Sequence, residues 1–400
     1  METSPPRRKQ RRPPSDGDPD AAAAEERSVD CLPEDILKNI VSRLPISDAV
    51  RTSMLSRSWR RRWESTPGLC HLWSRGAHPA AIGAVLARYS CFVCEFCSRG
   101  IRREAFHFTD DWICLLAAKG VKSLTLSFWE YGVLNVGVPI LHPAIFACDN
   151  GGRELEAMIQ MSPLLESLEL DNVELLDDEI DDWIIQTPNL RSLTIVSFTD
   201  DGWQIQELPS IQEAHIIVEE YFIDRDFVNL LTCLSQVSEL ELHLPFTEDN
   251  ALEGLSCSFQ KLRSLTLHTN FNDASSILST FSLLSRAPNL KHLEMEITNL
   301  ENQGDEVDFE FFSALCTKNL FANLNFVSMK SASCWSNEMH FIEFVLSKAR
   351  LLHEFYVYHD DTGSHSKPSE KAVIEMAKYK RASPKAKVLF RDMEDLLFYR

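Results

Sequence analysis

The sequence predicts a mixed α/β chain. A three-helix module comes first, followed by a long irregular array of strand repeats and a separate C-terminal module. Three observations predict this. Two Leu-Pro steps and three tryptophans punctuate an amphipathic helical pattern between Asp30 and Trp73. A Leu-x-x-Leu-x-Leu motif then recurs between Val121 and Met295. Beyond residue 321, strand-like and helix-like segments alternate on a different spacing.

Composition bounds the rest. The chain has 400 residues, 44% of them hydrophobic, enough for more than one domain. A formal net charge of -19 argues against non-specific DNA or RNA binding as its main task. No apolar run approaches the length of a membrane span. Basic residues near the start precede no hydrophobic stretch, so no secretory leader is expected. Eleven cysteines in that context imply a reducing compartment and free thiols. Residues 1–28 are rich in Pro, charge and Ala and are expected to form a disordered tail. Within them, Arg7, Arg8, Lys9, Arg11 and Arg12 fit either a nuclear-import signal or a solvated basic run. The expected location is the nucleus, the cytoplasm or both.

The first module is read from its punctuation. Pro33 suits the first turn of a helix, where its missing N–H costs nothing, and Glu34 and Asp35 follow near the positive end of the dipole. Ile36, Leu37, Ile40, Val41 and Leu44 recur at helical spacing as one apolar stripe. Pro45 ends that helix. Ser47 is expected to cap a second helix carrying Val50, Met54 and Leu55. Ser56 is expected to cap a third, with Trp59 and Trp63 on one face and Arg57, Arg60, Arg61 and Arg62 on the others. So short a segment cannot bury all of this apolar surface alone, so other parts of the chain or a partner must cover it.

These residues resemble the F-box, the motif by which substrate receptors bind the Skp-type adaptor of cullin–RING ubiquitin ligases. The marks are Leu32-Pro33, Ile36-Leu37, Ile40, Leu44-Pro45, the Ser47-Asp48-Ala49-Val50 turn, Leu55-Ser56-Arg57, and Trp59 with Trp63. Ser58 departs from the pattern, because relatives often carry a basic residue there. The resemblance implies an adaptor-docking set of Leu32, Pro33, Ile36, Leu37, Ile40, Leu44, Pro45, Val50, Leu55, Trp59 and Trp63. Sequence alone does not divide that set into core and contact residues. The F-box is assigned to residues 29–73. A linker follows over 74–102, with a helix expected from Ala80 to Tyr89.

The repeat series opens at Val121-Lys-Ser-Leu124-Thr-Leu126. It continues at Leu165 to Leu170, Leu190 to Ile195, a degenerate Ile211 to Ile216, Val237 to Leu242, Leu262 to Leu267 and Leu290 to Met295. Leu168 to Leu193 and Leu240 to Leu265 are each 25 residues apart. The period and motif match leucine-rich repeats, assigned to 103–320, and Asn270 sits at the signature's terminal Asn. Each Leu-x-Leu step puts two side chains on one face of a short strand, and stacked units bury a continuous core. The intervening residues are expected to line the other, concave face. They include Lys122, Thr125, Glu166, Glu169, Arg191, Thr194, Glu239, Glu241, Arg263, Thr266, Lys291 and Glu294. That mixed face suits a protein or small ligand, or is simply solvated. Leu176, Ile180, Trp183 and Ile184 predict a helix between strands. The acids from Asp177 to Asp182 are then its outer face, not a calcium loop, which would need glycine at the turn.

The C-terminal part predicts a strand over Leu324–Lys330, a helix over Glu338–Lys348 and a strand over Leu351–Tyr358. A helix over Ser369–Tyr379 and a loop feeding a final strand to Phe390 complete it. This order, with the Arg381-Ala-Ser-Pro-Lys-Ala-Lys-Val-Leu-Phe390 ending, resembles the FBD region of plant F-box/FBD/LRR-repeat proteins. The implied fold is a helical F-box, an irregular right-handed leucine-rich-repeat solenoid and an FBD-like C-terminal module over 321–400. One departure is the 44-residue interval from Leu124 to Leu168, where relatives carry another unit and a repeat here is shortened or lost.

Other motifs are weaker. Cys91, Cys94 and Cys97 have the spacing of part of a zinc or iron–sulfur site but lack a fourth ligand at a standard distance. They also fit small apolar thiols on a half-buried strand. No phosphate loop, HExxH or GxSxG occurs, so no catalytic residue and no cofactor is expected. The resemblance implies a non-catalytic substrate receptor. Its partners would be a Skp-type adaptor, a cullin–RING ligase through it, and an unidentified target protein. The alternatives are a non-degradative interaction scaffold, or a metal- or redox-responsive protein using the three cysteines.

Overall fold

The fold was obtained as a computed structural model. It describes residues 32–69, 71–73, 78–101, 109–133, 139–146, 151–171, 173–175, 182–200, 202–221, 225–243, 252–298, 307, 309–315, 320–359 and 370–392. The expected N-terminal tail with its basic cluster lies outside these residues. So do Leu176, Ile180 and the acids from Asp177 to Asp181. The chain divides into two compact units. One is built on the residues up to Cys70 with Tyr89–Cys91; the other holds His71–Arg88 and everything from Phe92 onward.

In the first unit, one helix spans Glu34–Ser42 and a second Ile46–Arg51. Both start from a proline in the N-cap position. Pro33 and Pro45 have extended ψ values, and their carbonyls accept from Ile36 and Leu37 and from Asp48 and Ala49, at 2.9–3.1 Å. The second helix therefore begins one residue before the expected Ser47 cap and buries Ile46.

The expected third helix does not form as a regular α-helix. Residues 57–61 are turns, and Arg62–Ser65 is a single 3₁₀ turn. The cause is visible at Ser53. Its hydroxyl donates to the Arg60 carbonyl at 2.9 Å, the acceptor Glu64 N would use in an α-helix. Glu64 N instead donates to Arg61 O. The same Ser53 Oγ accepts from the Trp63 indole N–H at 3.1 Å. Arg62 is not on an outer face as expected. Its side chain is buried, 3.2 Å from Glu34 and over the Trp59 ring. Tyr89 OH closes this unit by donating to the Thr66 carbonyl at 2.9 Å.

The second unit is organised by one large sheet. The strands of this unit, of which β7 and β9 form a separate pair, begin in chain order with β1 (His71–Trp73), β2 (Glu95–Ile101), β3 (Ser123–Val133), β4 (Pro139–Phe146), β5 (Ser167–Asp171) and β6 (Val173–Leu175). β7 (Trp183–Ile185), β8 (Ser192–Thr199), β9 (Trp203–Ile205), β10 (Glu213–Glu220), β11 (Glu239–His243) and β12 (Ser264–Thr269) follow. β13 (His292–Ile297), β14 (Phe326–Lys330), β15 (Glu354–His359) and β16 (Lys387–Asp392) complete the set. The main path runs β1-β2-β3-β5-β8-β10-β11-β12-β13-β14-β15-β16, and every pairing along it is parallel.

The repeat leucines set the register. Leu124, Leu168, Leu193, Ala214, Leu240, Leu265 and Leu293 are partners in succession, and all are buried. The degenerate copy thus holds its place, with Ala214 filling the leucine position. Parallel strands with crossovers bury one face against the connecting segments. Two of the connecting helices carry an aspartate N-cap. Asp273 accepts from Ser275 N and Ser276 N at the start of Ala274–Ser285, and Asp226 from Asn229 N at the start of Phe227–Cys233. Phe281 of the former helix packs against Phe312, Phe341 and Phe344 with ring centroids 5.5–6.0 Å apart. Asn270 ends its repeat as a turn acceptor for Asn272 N at 2.8 Å.

Three local outcomes differ from the sequence expectation. Trp183 and Ile184 lie on β7, paired with β9, and not on a helix. Trp183 and Ile185 are buried while Ile184 is half-buried, so a period of two prevails there over the helical period. The stretch Glu95–Ile101, expected as linker, is a full strand of the main sheet, preceded by a helix over Pro79–Arg88. Finally, the long interval from Leu124 to Leu168 leaves no gap in the sheet. β3 and β5 are direct neighbours, and the extra chain folds out as β4, antiparallel to β3, and a helix over Gly151–Met161. In the C-terminal part, β14, the helix Ser336–Lys348, β15, the helix Glu370–Lys378 and β16 fall where the sequence places them.

Candidate partner-binding surfaces

Two surfaces carry the residues singled out by sequence. The first is the helical unit. Its apolar residues divide into two sets. Leu37, Val41, Ile46, Ala49, Trp59 and Trp63 are buried and form its core. Leu32, just before the first helix, and Ile36 and Ile40 on it are spaced by four and stay 39%, 47% and 38% exposed. Pro33 and Pro45 are also exposed, and Leu44 and Val50 are half-buried. Leu55 is 69% exposed and Met54, not among the expected docking residues, is 88% exposed. Exposure was the missing signal for Met54, because its spacing reads equally well as the inner face of a helix. A helix that keeps a second apolar stripe in water after filling its own core presents a surface for a partner. Leu37, Trp59 and Trp63 can only support that surface from behind.

The second surface is the polar face of the sheet, opposite the buried leucines. Side chains of neighbouring strands join across it. Thr125 Oγ1 donates to Glu169 at 3.0 Å and Ser127 Oγ to Asp171 at 2.8 Å. Lys122 Nζ lies 2.7 Å from Glu166, and Lys330 Nζ 2.8 Å from Glu294. At the centre, Glu241 sits between His215 and His268, 3.1 and 3.0 Å away. Hydrogen bonds from His215 and His268 hold the Glu241 carboxyl down at about 2, and the bond to Glu241 raises the His215 imidazole. His243, beside His268 with ring centroids 5.7 Å apart, is pushed down to about 4, first by burial. The meeting of His215 and His268 around Glu241 escaped the sequence reading because singly spaced histidines come together only through strand register.

Among the described residues no group of three or more His, Cys, Asp or Glu is placed to hold a metal. Cys91 is half-buried, Cys94 exposed and Cys97 buried at the start of β2, where burial raises the Cys97 thiol. No helix among the described residues is long and apolar enough to cross a membrane.

Known proteins match both the helical unit and the sheet-bearing part of the chain. Residues 29–71 match the F-box domain family. An F-box/FBD/LRR-repeat protein of Arabidopsis thaliana is 24% identical, the match covering 90% of this chain and 97% of that one. A second F-box/FBD/LRR-repeat protein of the same plant is 25% identical over 74% of this chain and 59% of its own length. An FBD-associated F-box protein of Arabidopsis thaliana is 20% identical over 82% and 98%. An F-box match at its start and such relatives along most of its length support a place for the chain among the plant F-box/FBD/LRR-repeat proteins.

Proposed function

We propose that the chain is the substrate-recognition subunit of a Skp–cullin–F-box ubiquitin ligase. The exposed stripe of Leu32, Ile36 and Ile40 on a unit with its own packed core carries this reading. Leu32, Pro33, Ile36, Ile40, Leu44, Pro45, Val50 and Leu55 then contact the Skp-type adaptor, joined by Met54. Leu37, Trp59 and Trp63 fix the helices that present them. The repeats over 103–320 form an irregular solenoid with an FBD-like module over 321–400, and the polar sheet face holds the target. Catalysis by this subunit is proximity alone. A conjugating enzyme brought by the cullin acts on target lysines at high effective concentration, and the chain contributes no catalytic group. The protein works in the nucleus, the cytoplasm or both.

Reconstitution tests this. The full chain is expressed with a Skp-type adaptor, a cullin and its RING partner, and proteins captured by the complex are assayed for ubiquitin transfer. Modified captured proteins support a receptor. Stable capture without transfer supports the scaffold alternative.

A further inference from the structure

The polar sheet face changes character along its length. On the seven path strands from β3 to β13 there is no Lys or Arg, while Glu213, Glu239, Glu241 and Glu294 lie on three of them. Beyond β13 the same face becomes aromatic. His292 stacks on Phe326 with centroids 5.8 Å apart, Phe326 lies 5.6 Å from Tyr356, and Tyr356 stacks on Tyr358 at 5.8 Å with a 15° interplanar angle. Phe326, Tyr356 and Tyr358 are half-buried, so one part of each ring remains open to solvent.

Register joins the acidic and aromatic parts in one line. Glu213, Glu239, Ser264, His292, Phe326 and Glu354 are successive partners across β10, β11, β12, β13, β14 and β15. Strands lie about 4.8 Å apart. The line from Glu239 to Glu354 is therefore roughly 19 Å long, the reach of about six extended residues. Open ring faces attract cations, and carboxylates beside them complete the charge match. Tyr and Phe in such a position are typical anchors of protein interfaces.

We propose that this line docks an extended basic segment of a partner protein, with Lys or Arg stems over Phe326 and Tyr356 and their charged heads against Glu239 and Glu354. The inference rests on the sheet face being the target-binding surface and names the chemistry of the target segment. Charge complementarity selects this occupant. Lys330 is the one Lys or Arg on the strands from β10 to β15, and it is held 2.8 Å from Glu294.

The test uses the full chain co-expressed with a Skp-type adaptor and two fluorescent peptides, one alternating Arg with Ser and one alternating Glu with Ser. Binding is followed by anisotropy. The Arg peptide should saturate, and Glu213→Gln with Glu239→Gln, or Tyr356→Ala alone, should each weaken it about tenfold. Glu207→Gln with Glu253→Gln removes the same charge from exposed positions off the strands and should leave binding unchanged. Equal weakening by that control pair would reduce the effect to bulk charge and overturn the proposal. So would an unaffected Tyr356→Ala variant, a failure of the Arg peptide to bind, or tighter binding of the Glu peptide. Thermal unfolding of each variant excludes misfolding. Adaptor co-purification is scored in the same samples. Its loss counts against the docking role of the helical unit, whereas probe failure with the adaptor retained overturns only the inference made here.

Discussion

Ile36 and Leu37 are neighbours on one helix and face opposite ways. Leu37 is 2% exposed and Ile36 is 47% exposed. Leu37 belongs with Trp59 and Trp63 in the core of the helical unit, whereas Ile36 lines up with Leu32 and Ile40 on the outside. The two residues should therefore fail differently when changed. Leu37→Ala removes buried methyl groups and should cost about 2–5 kcal/mol of stability. Ile36→Ala should change stability by no more than about 0.5 kcal/mol. Denaturant unfolding of the two variants checks this.

A second stability prediction concerns the repeat unit. Arg225 and Asp200 are 3.0 Å apart, with side chains 4% and 1% exposed, and the guanidinium lies 3.8 Å over the Trp203 ring. Removing one member of a buried pair leaves the other charge without compensation. Asp200→Ala should destabilise the chain by about 3–5 kcal/mol, measured by chemical denaturation.

Glu338 gives a pH dependence of known sign. It is buried at the start of the helix Ser336–Lys348 and accepts from Cys334 N at 2.7 Å. Burial raises its carboxyl to about 7, against the lowering effect of the surrounding backbone N–H groups. Between its ordinary value of 4.5 and about 7, the folded chain keeps a proton that the unfolded chain has released. The stability this proton contributes is full below the unfolded value and is lost as pH rises through about 7. Glu338→Gln should flatten that loss, seen as a smaller drop in melting temperature between pH 5 and 8 (roughly the window set by the two values).

Glu241 has the opposite sign. Its carboxyl is held at about 2 by His215 and His268. The stability from these bonds is present above the unfolded carboxyl value and lost as pH falls toward 2. Glu241→Gln should make unfolding less steep in acid, followed by circular dichroism during acid titration.

Much of this architecture was legible in the sequence, for physical reasons. The Leu-x-Leu step of Leu240 and Leu242 reads as a strand because alternate side chains must share one face, and both are buried on β11. The C-terminal elements were legible for the same reason. Less legible were positions where a side chain competes with the backbone. Ser53 takes the Arg60 carbonyl and turns an expected helix into turns and a 3₁₀ segment. Trp183 fits a helical spacing, but it pairs with Trp203 from a segment 20 residues away, a tertiary partner that no local pattern contains. β2 went unseen as a repeat because Glu95-Phe-Cys-Ser-Arg has no leucine on the motif positions. The stripe proposed for docking was legible as a list, and only burial separates Ile36 from Leu37.

Calorimetric titration of a Skp-type adaptor into the full chain tests the central claim most directly. Wild type should bind, and Ile36→Glu should weaken binding by about a hundredfold or more while its melting temperature stays near that of wild type. No binding by folded wild type, or equal affinity for the Ile36→Glu variant, would contradict the assignment of this stripe as the docking surface.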